Sequence, residues 1–270
     1  MKKNAYQLLD SGDAKKLERF GEYTLIRPCP QAVWNKLNPD IWALADSEFS
    51  KENKDGWSKK LPSDWVIELG GVLFKVAPTG FGSIGVFPEH ATIWQDLKLL
   101  SKDANVLNLF ACSGGATLAL AQAGAKVCHL DAARGIVDTA KENAVLNGLD
   151  KAPIRWIVDD VIKFLRKEGR RDVRYDGILL DPPTFGRGTN KEVFKIEKDL
   201  IPMLELCRDL LSNKARYLLL SCHTPGITPV ALKHTLTPIF PKAKIHAGEM
   251  LLSSPGALSI PSGSYAKVLL

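Results

Sequence analysis

The chain has 270 residues, enough to bury one large core or a large and a small one. Its 45% apolar and 24% charged content is that of an ordinary globule, and no apolar run reaches the ~20 residues that a bilayer-spanning helix needs. A net charge of +6 is compatible with a polyanionic partner such as RNA but does not by itself require one.

The opening Met-Lys-Lys soon turns polar at Asp10 to Asp13, unlike a signal peptide. Five cysteines without paired or metal-like spacing point to reduced thiols and a cytoplasmic location. Over the first ~90 residues, short apolar pieces at 23–26, 66–69 and 72–76 stand among turn residues, accompanied by Trp34, Trp42, Trp57 and Trp65. This predicts a small β-rich N-terminal subdomain over 1–88, with the tryptophans as core anchors.

From about residue 104 the pattern changes to alternation. Strands are expected at 105–110, 125–130, 154–158, 175–181, 215–221, 243–249 and 264–269. Helices are expected at 115–123, 133–147, 160–168, 192–211 and 228–237, with Pro202 marking a kink or break in the fourth. Such alternation gives an α/β domain over 89–270: a Rossmann-like, mostly parallel sheet of seven strands with helices on both faces.

The first strand of that domain runs into Phe110-Ala-Cys-Ser-Gly114-Gly115 and a helix. Glycines at such a turn let a ligand lie against the main chain. The next strand delivers Asp131 at its carboxyl end, where an acid commonly holds the hydroxyls of a ribose. An adenosine-containing cofactor follows. A dinucleotide would want a third glycine, where Thr117-Leu118 stands instead, so S-adenosylmethionine is favoured over NAD. Asp159-Asp160 closes the third strand. One carboxylate there can accept the adenine amino group with Ile157 and Val161 flanking the ring, and either can simply cap the next helix.

The fourth strand ends in Asp181-Pro182-Pro183-Thr184-Phe185. Two prolines stiffen the loop and fix Asp181 at the mouth of the sheet, while Phe185 is placed to stack on a planar base. Arg187, Lys191, Lys195 and Lys198 follow, positioned to grip a substrate backbone, with Arg187 the first of them. Lys163, Arg166, Lys167, Arg170, Arg171 and Arg174 are spaced as either a solvated helix face or a phosphate-binding one. The histidines show no metal spacing, and no metal is expected.

In the joint order of these motifs the chain resembles class I S-adenosylmethionine-dependent methyltransferases. It is similar above all to the group around the bacterial 23S ribosomal RNA large-subunit methyltransferases I and K. The residues that carry this are Leu107 to Gly115, the strand ending in Asp131, Glu142 to Leu149, Asp159-Asp160 and Asp181 to Phe185. The resemblance implies S-adenosyl-L-methionine as cofactor, held by Asn108, Phe110, Gly114, Gly115, Asp131, Asp159, Asp160 and Asp181. It adds Phe87 and Glu89, in a glycine-rich segment resembling the one that closes over the methionine end. It implies a nucleobase substrate, in ribosomal RNA, met by Pro182, Pro183, Phe185 and Arg187.

Catalysis rests on Asp181 and Cys222 in this reading. By resemblance to the methyltransferase-I-like enzymes, Cys222 would attack C6 of cytosine and so activate C5. If Cys222 is only core filler, Asp181 and its loop would orient a base nitrogen for direct transfer, as in the K type. Two other functions stay open: a non-catalytic RNA-binding protein that keeps the fold, and an NAD-dependent oxidoreductase.

Overall fold

The structure is a computed structural model that describes residues 5–54, 56–188 and 192–270. Its contacts divide the chain into two compact units. One runs to Glu89 and takes in Leu251–Ser262; the other is His90–Met250 with Gly263–Leu270. The stretch 251–262, expected with the α/β domain, is thus counted with the first unit.

In the first unit, β1 (Tyr6–Gly12), β2 (Lys15–Phe20) and β3 (Tyr23–Pro28) form an antiparallel meander, and β4 (Ser47–Glu48) adds in parallel to β3. A separate hairpin joins β5 (Trp65–Leu69) to β6 (Val72–Val76). Its two-residue turn is Gly70-Gly71, both at positive φ (59° and 79°), the backbone that matches the twist of paired strands. The sequence pattern marks β3, β5 and β6 but not β1 and β2. Those two strands bury charge: Asp10 and Glu18 are fully buried, which breaks the apolar alternation.

Each buried acid is satisfied. Asp10 Oδ2 accepts the Trp42 indole N–H at 2.8 Å. Glu18 accepts from Arg27 Nε at 2.7 Å and from the Tyr6 hydroxyl at 2.9 Å, with Lys16 Nζ at 3.2 Å. Burial alone would raise the Glu18 carboxyl, but Arg27 and Lys16 outweigh it and hold it down to about 2. Trp42 is buried as expected, while Trp34, Trp57 and Trp65 are half-buried and donate their indole N–H groups to the carbonyls of Ser11, Thr79 and Phe20.

The second unit opens with α1 (Ala91–Ser101), absent from the sequence reading. There follow β7 (Asn105–Leu109), α2 (Gly115–Gln122), β8 (Lys126–Asp131), α3 (Arg134–Leu146), β9 (Ile154–Val158), α4 (Val161–Arg170) and β10 (Gly177–Leu180). A short hairpin of β11 (Phe185–Arg187) and β12 (Val193–Lys195) precedes α5 (Ile196–Asp209), β13 (Tyr217–Cys222), α6 (Pro229–Leu236), β14 (Lys244–Leu252) and β15 (Ile260–Leu269). The seven-stranded sheet has the order β14-β15-β13-β10-β7-β8-β9, parallel from β13 to β9, with β15 antiparallel to β13.

Both faces of the sheet are covered. On one, Leu107, Leu109, Ile178, Leu180, Leu218 and Leu220 pack with Phe164 and Leu165 of α4, Leu200, Met203 and Leu204 of α5, and Leu232 of α6. On the other, Val106, Val127, Leu179, Tyr217 and Leu219 pack with Ile93 and Leu97 of α1 and Leu120 of α2. The predicted helix over 192–211 is shorter than expected, because 193–195 pairs as strand β12. Pro202 does not break it: α5 runs through this exposed residue.

Candidate functional site

The strand order places β7 beside both β8 and β10, so the chain winds outward in opposite directions from the β7–β10 pair. Ligands of open α/β sheets bind outside the carboxyl ends of the strands at such a switch point. Two segments leave the sheet there: the 110–115 loop after β7, and the Asp181 loop after β10.

The first loop is wound tightly. Phe110, Cys112 and Gly114 alternate at positive φ (55°, 50° and 92°), and the two that are not glycine each cost on the order of 1–3 kcal/mol. The loop is held from both sides. Cys112 N donates to Asp131 Oδ2 at 3.0 Å, and Asn143 Nδ2 of α3 donates to the Ser113 carbonyl at 3.1 Å. Gly114 caps α2 in the left-handed region, as expected of a glycine. Gly115 is glycine for another reason: a Cβ there would lie 2.3 Å from Cζ2 of Trp94 in α1.

The expected cofactor residues are distributed as follows. Asp131 and Asp159 stand at the carboxyl ends of β8 and β9, both half-buried. Asp131 Oδ1 also accepts from Ala133 N. Asp159 accepts from Asp160 N at 2.9 Å and from Lys167 Nζ at 2.6 Å. Asp160 caps α4, its Oδ1 accepting from Lys163 N at 2.9 Å. Of the two adjacent acids, Asp160 is thus the helix cap. Ile157 is half-buried, whereas Val161 faces the core. Asn108 is buried in β7, and its amide donates to Thr117 Oγ1 at 2.9 Å, tying the strand to α2. Phe110 is half-buried and meets Phe194 edge-on, with centroids 5.4 Å apart. Phe87 and Glu89 belong to the first unit, the former exposed and the latter buried.

Asp181 is pinned. Its Oδ1 accepts from Ser221 Oγ at 2.8 Å, and its Oδ2 lies 3.5 Å from His90 Nε2 and 3.6 Å from His223 Nε2. Burial alone would raise the Asp181 carboxyl, but His90, then His223 and the Ser221 hydroxyl, keep it below the usual carboxylate range. Pro182 is buried, Pro183 half-buried, and Phe185 and Arg187 exposed on β11. Thr184 Oγ1 meets Thr224 Oγ1 at 2.8 Å, fastening this loop to the one after β13. Lys195 and Lys198 are exposed, and Lys191 lies outside the described residues.

Cys222 is 1% exposed and sits in the apolar cluster with Leu218 and Leu220, on the face of β13 opposite Ser221. Its sulfur accepts from Thr224 N at 3.4 Å. Of the basic residues on and after α4, Lys167, Arg171 and Arg174 pair with Asp159, Glu168 and Asp172. Lys163, Arg166 and Arg170 line a cleft of about 500 Å³ shared with Val193, Phe194 and Asp199.

Sequence reasoning missed Ser221, Asn143, Trp94 and His90. Ser221 was within reach, since it stands level with Asp181 when β13 pairs in parallel with β10. The other three act across distances that local spacing does not show.

The residues suit S-adenosylmethionine. Two carboxylates at adjacent strand ends are of the kind that holds ribose hydroxyls and an adenine amino group, and the loop after β7 carries no third glycine for a phosphate. The sequence profile of the S-adenosylmethionine-dependent methyltransferases matches residues 59–257. The SAM-dependent methyltransferase of Agrobacterium tumefaciens, a solved structure, is 36% identical and superposes with a TM-score of 0.92, covering 98% of this chain and 90% of that one. A second solved structure, in complex with SAH, shares the fold at 20% identity and a TM-score of 0.80, covering 100% of this chain and 76% of that one. The ribosomal RNA large subunit methyltransferase K/L of Shewanella frigidimarina is 34% identical over 149 residues, 54% of this chain and 21% of that protein. The chain thus spans about a fifth of the length of the curated relatives it matches. With a profile over most of its length and a near full-length relative, the chain belongs to the family of S-adenosylmethionine-dependent methyltransferases.

Proposed function

We propose that the chain transfers a methyl group from S-adenosylmethionine to a nitrogen of a nucleobase in ribosomal RNA. The observation that carries this is the Asp181 carboxylate, fixed by Ser221 at the β7–β10 switch point and followed by two prolines and an exposed Phe185. A rigid acceptor beside an exposed ring suits a flat heterocycle with an N–H or amino group to orient. The matched relatives named ribosomal RNA large subunit methyltransferase K/L support ribosomal RNA as the target.

The cofactor supplies an electrophilic methyl on a sulfonium, a good leaving group, so alignment is the chief demand on the protein. Asp131 holds the ribose hydroxyls with the oxygen lone pairs that Cys112 and Ala133 leave, and Asp159 accepts the adenine amino group. Gly114, Gly115 and Phe110 shape the loop against which the nucleoside lies, while Asn108 and Asp160 fix strand and helix rather than ligand. Asp181 accepts a proton-bearing edge of the base, Phe185 stacks on it, and Pro182 and Pro183 keep both in place. Arg187, with Lys195 and Lys198, neutralises the phosphates on either side. A base within structured RNA must be turned out of its stack to arrive there.

Cys222 is given no covalent role, because its sulfur lies on the apolar face of β13, away from Asp181. The test is to map modified nucleotides in ribosomal RNA from cells with and without the protein, then to restore the missing one in vitro with labelled S-adenosylmethionine. A lost N-methyl base that the purified chain restores is the expected result. An unchanged map, or a lost 5-methylcytosine, overturns the reading.

A further inference from the structure

The imidazoles of His90 and His223 lie 133 residues apart in sequence, yet their Nε2 atoms are 3.1 Å apart. Asp181 Oδ2 completes a triangle with them, at 3.5 and 3.6 Å. The two ring nitrogens are within hydrogen-bond reach of each other, and the Asp181 carboxylate faces both rings at charge-contact distance. Three ligand-type atoms of the correct kinds converge on one point. An ion about 0.7 Å above the plane of that triangle would stand about 2.1 Å from each donor, the length of a Zn–N or Zn–O bond. The mean separation of the donors, about 3.4 Å, is the edge of a tetrahedron with that bond length, whereas adjacent octahedral positions would lie about 3.0 Å apart.

We propose that His90, Asp181 and His223 form a binding site for a divalent transition-metal ion, zinc by its geometry. Two imidazoles and one carboxylate are the donor set of zinc sites that keep a fourth position open, so the ion would be able to take a further ligand beside the Asp181 loop. The outer shell is in place: Ser221 Oγ donates to Asp181 Oδ1 and fixes the carboxylate so that Oδ2 faces the histidines. Access is also provided, with side-chain exposures of 13% for His90, 30% for Asp181 and 35% for His223. The site stands whether or not the chain methylates RNA, because the ion can be measured without turnover.

The test is equilibrium dialysis of the chelator-stripped full chain against zinc chloride, with the bound metal quantified directly. One zinc per chain is expected, with affinity falling about tenfold or more in His90→Ala and in His223→Gln. Cobalt(II) in place of zinc should give the intense visible bands of a tetrahedral ion, lost in the same variants. Thermal unfolding of the metal-free proteins checks that the variants fold, and the half-exposed His223 makes the milder substitution of the two. Failure of the wild type to hold stoichiometric zinc overturns the proposal. So does binding that neither substitution weakens, which would put the ion elsewhere.

Discussion

Ser221 and Asp181 stand at the same level on neighbouring parallel strands, and the serine hydroxyl donates to the carboxylate at 2.8 Å. Removing a hydrogen bond to a charged, sheltered acceptor costs ~1.5–3 kcal/mol. Ser221→Ala should therefore lower kcat by roughly 10- to 100-fold, while calorimetry finds S-adenosylmethionine bound as tightly as before. A matching loss of cofactor affinity would show that Ser221 supports the whole site rather than the acceptor end.

Cys222 separates transfer to nitrogen from transfer to carbon. Cys222→Ser roughly keeps the size of the side chain and removes the sulfur nucleophile, and on the nitrogen reading most of kcat survives. Burying a hydroxyl among Leu218 and Leu220 should instead appear as ~1–3 kcal/mol of lost stability in urea unfolding. Abolished turnover in a folded variant would restore the covalent mechanism.

Gly115 is held against Trp94 by close contact, so Gly115→Ala should destabilise by ~1–3 kcal/mol through overpacking. The indole atoms that a new Cβ would strike are absent from phenylalanine. Adding Trp94→Phe should recover part of the loss, and a double-mutant cycle in thermal unfolding reads the coupling. Strictly additive effects would disprove the contact.

Acid should weaken the fold through His129. Burial, with a smaller contribution from Lys141, depresses this imidazole to about 3, against an ordinary value near 6.5. The folded state thus keeps His129 neutral while the unfolded chain takes up a proton. The stabilisation is complete above pH ~6.5 and is lost as pH falls from there toward 3, by at most ~1.4 kcal/mol per unit. Urea midpoints followed from pH 7.5 to 5 should fall in the wild type and flatten in His129→Gln.

The sheet was legible because its strands are continuous apolar runs: Val106 to Leu109, Ile178 to Leu180 and Leu218 to Leu220 are buried on both faces and read as strands without an alignment. The meander of β1 and β2 was not, because Asp10 and Glu18 occupy interior positions that only distant partners make tolerable. For α1, the glycine-rich stretch before it drew the reading toward a mobile cover, although Ile93, Trp94 and Leu97 already carry a helical spacing. The carboxylates at strand ends were legible by position alone, and Asp131, Asp159 and Asp181 all stand where the sequence put them. Which of two adjacent acids caps a helix was decided by backbone geometry that composition does not encode. The histidine pair could not be found from spacing, since its members stand 133 residues apart in sequence.

The apolar residues Leu8, Cys29 and Ala32 find Leu252 and Ile260 as partners, from a stretch more than two hundred positions downstream. During synthesis the amino-terminal unit must therefore wait, lacking that part of its interior until Ile260 has left the ribosome. A fragment cut at Glu89 would carry an open greasy flank, so the small unit is not a detachable module that another protein could borrow whole.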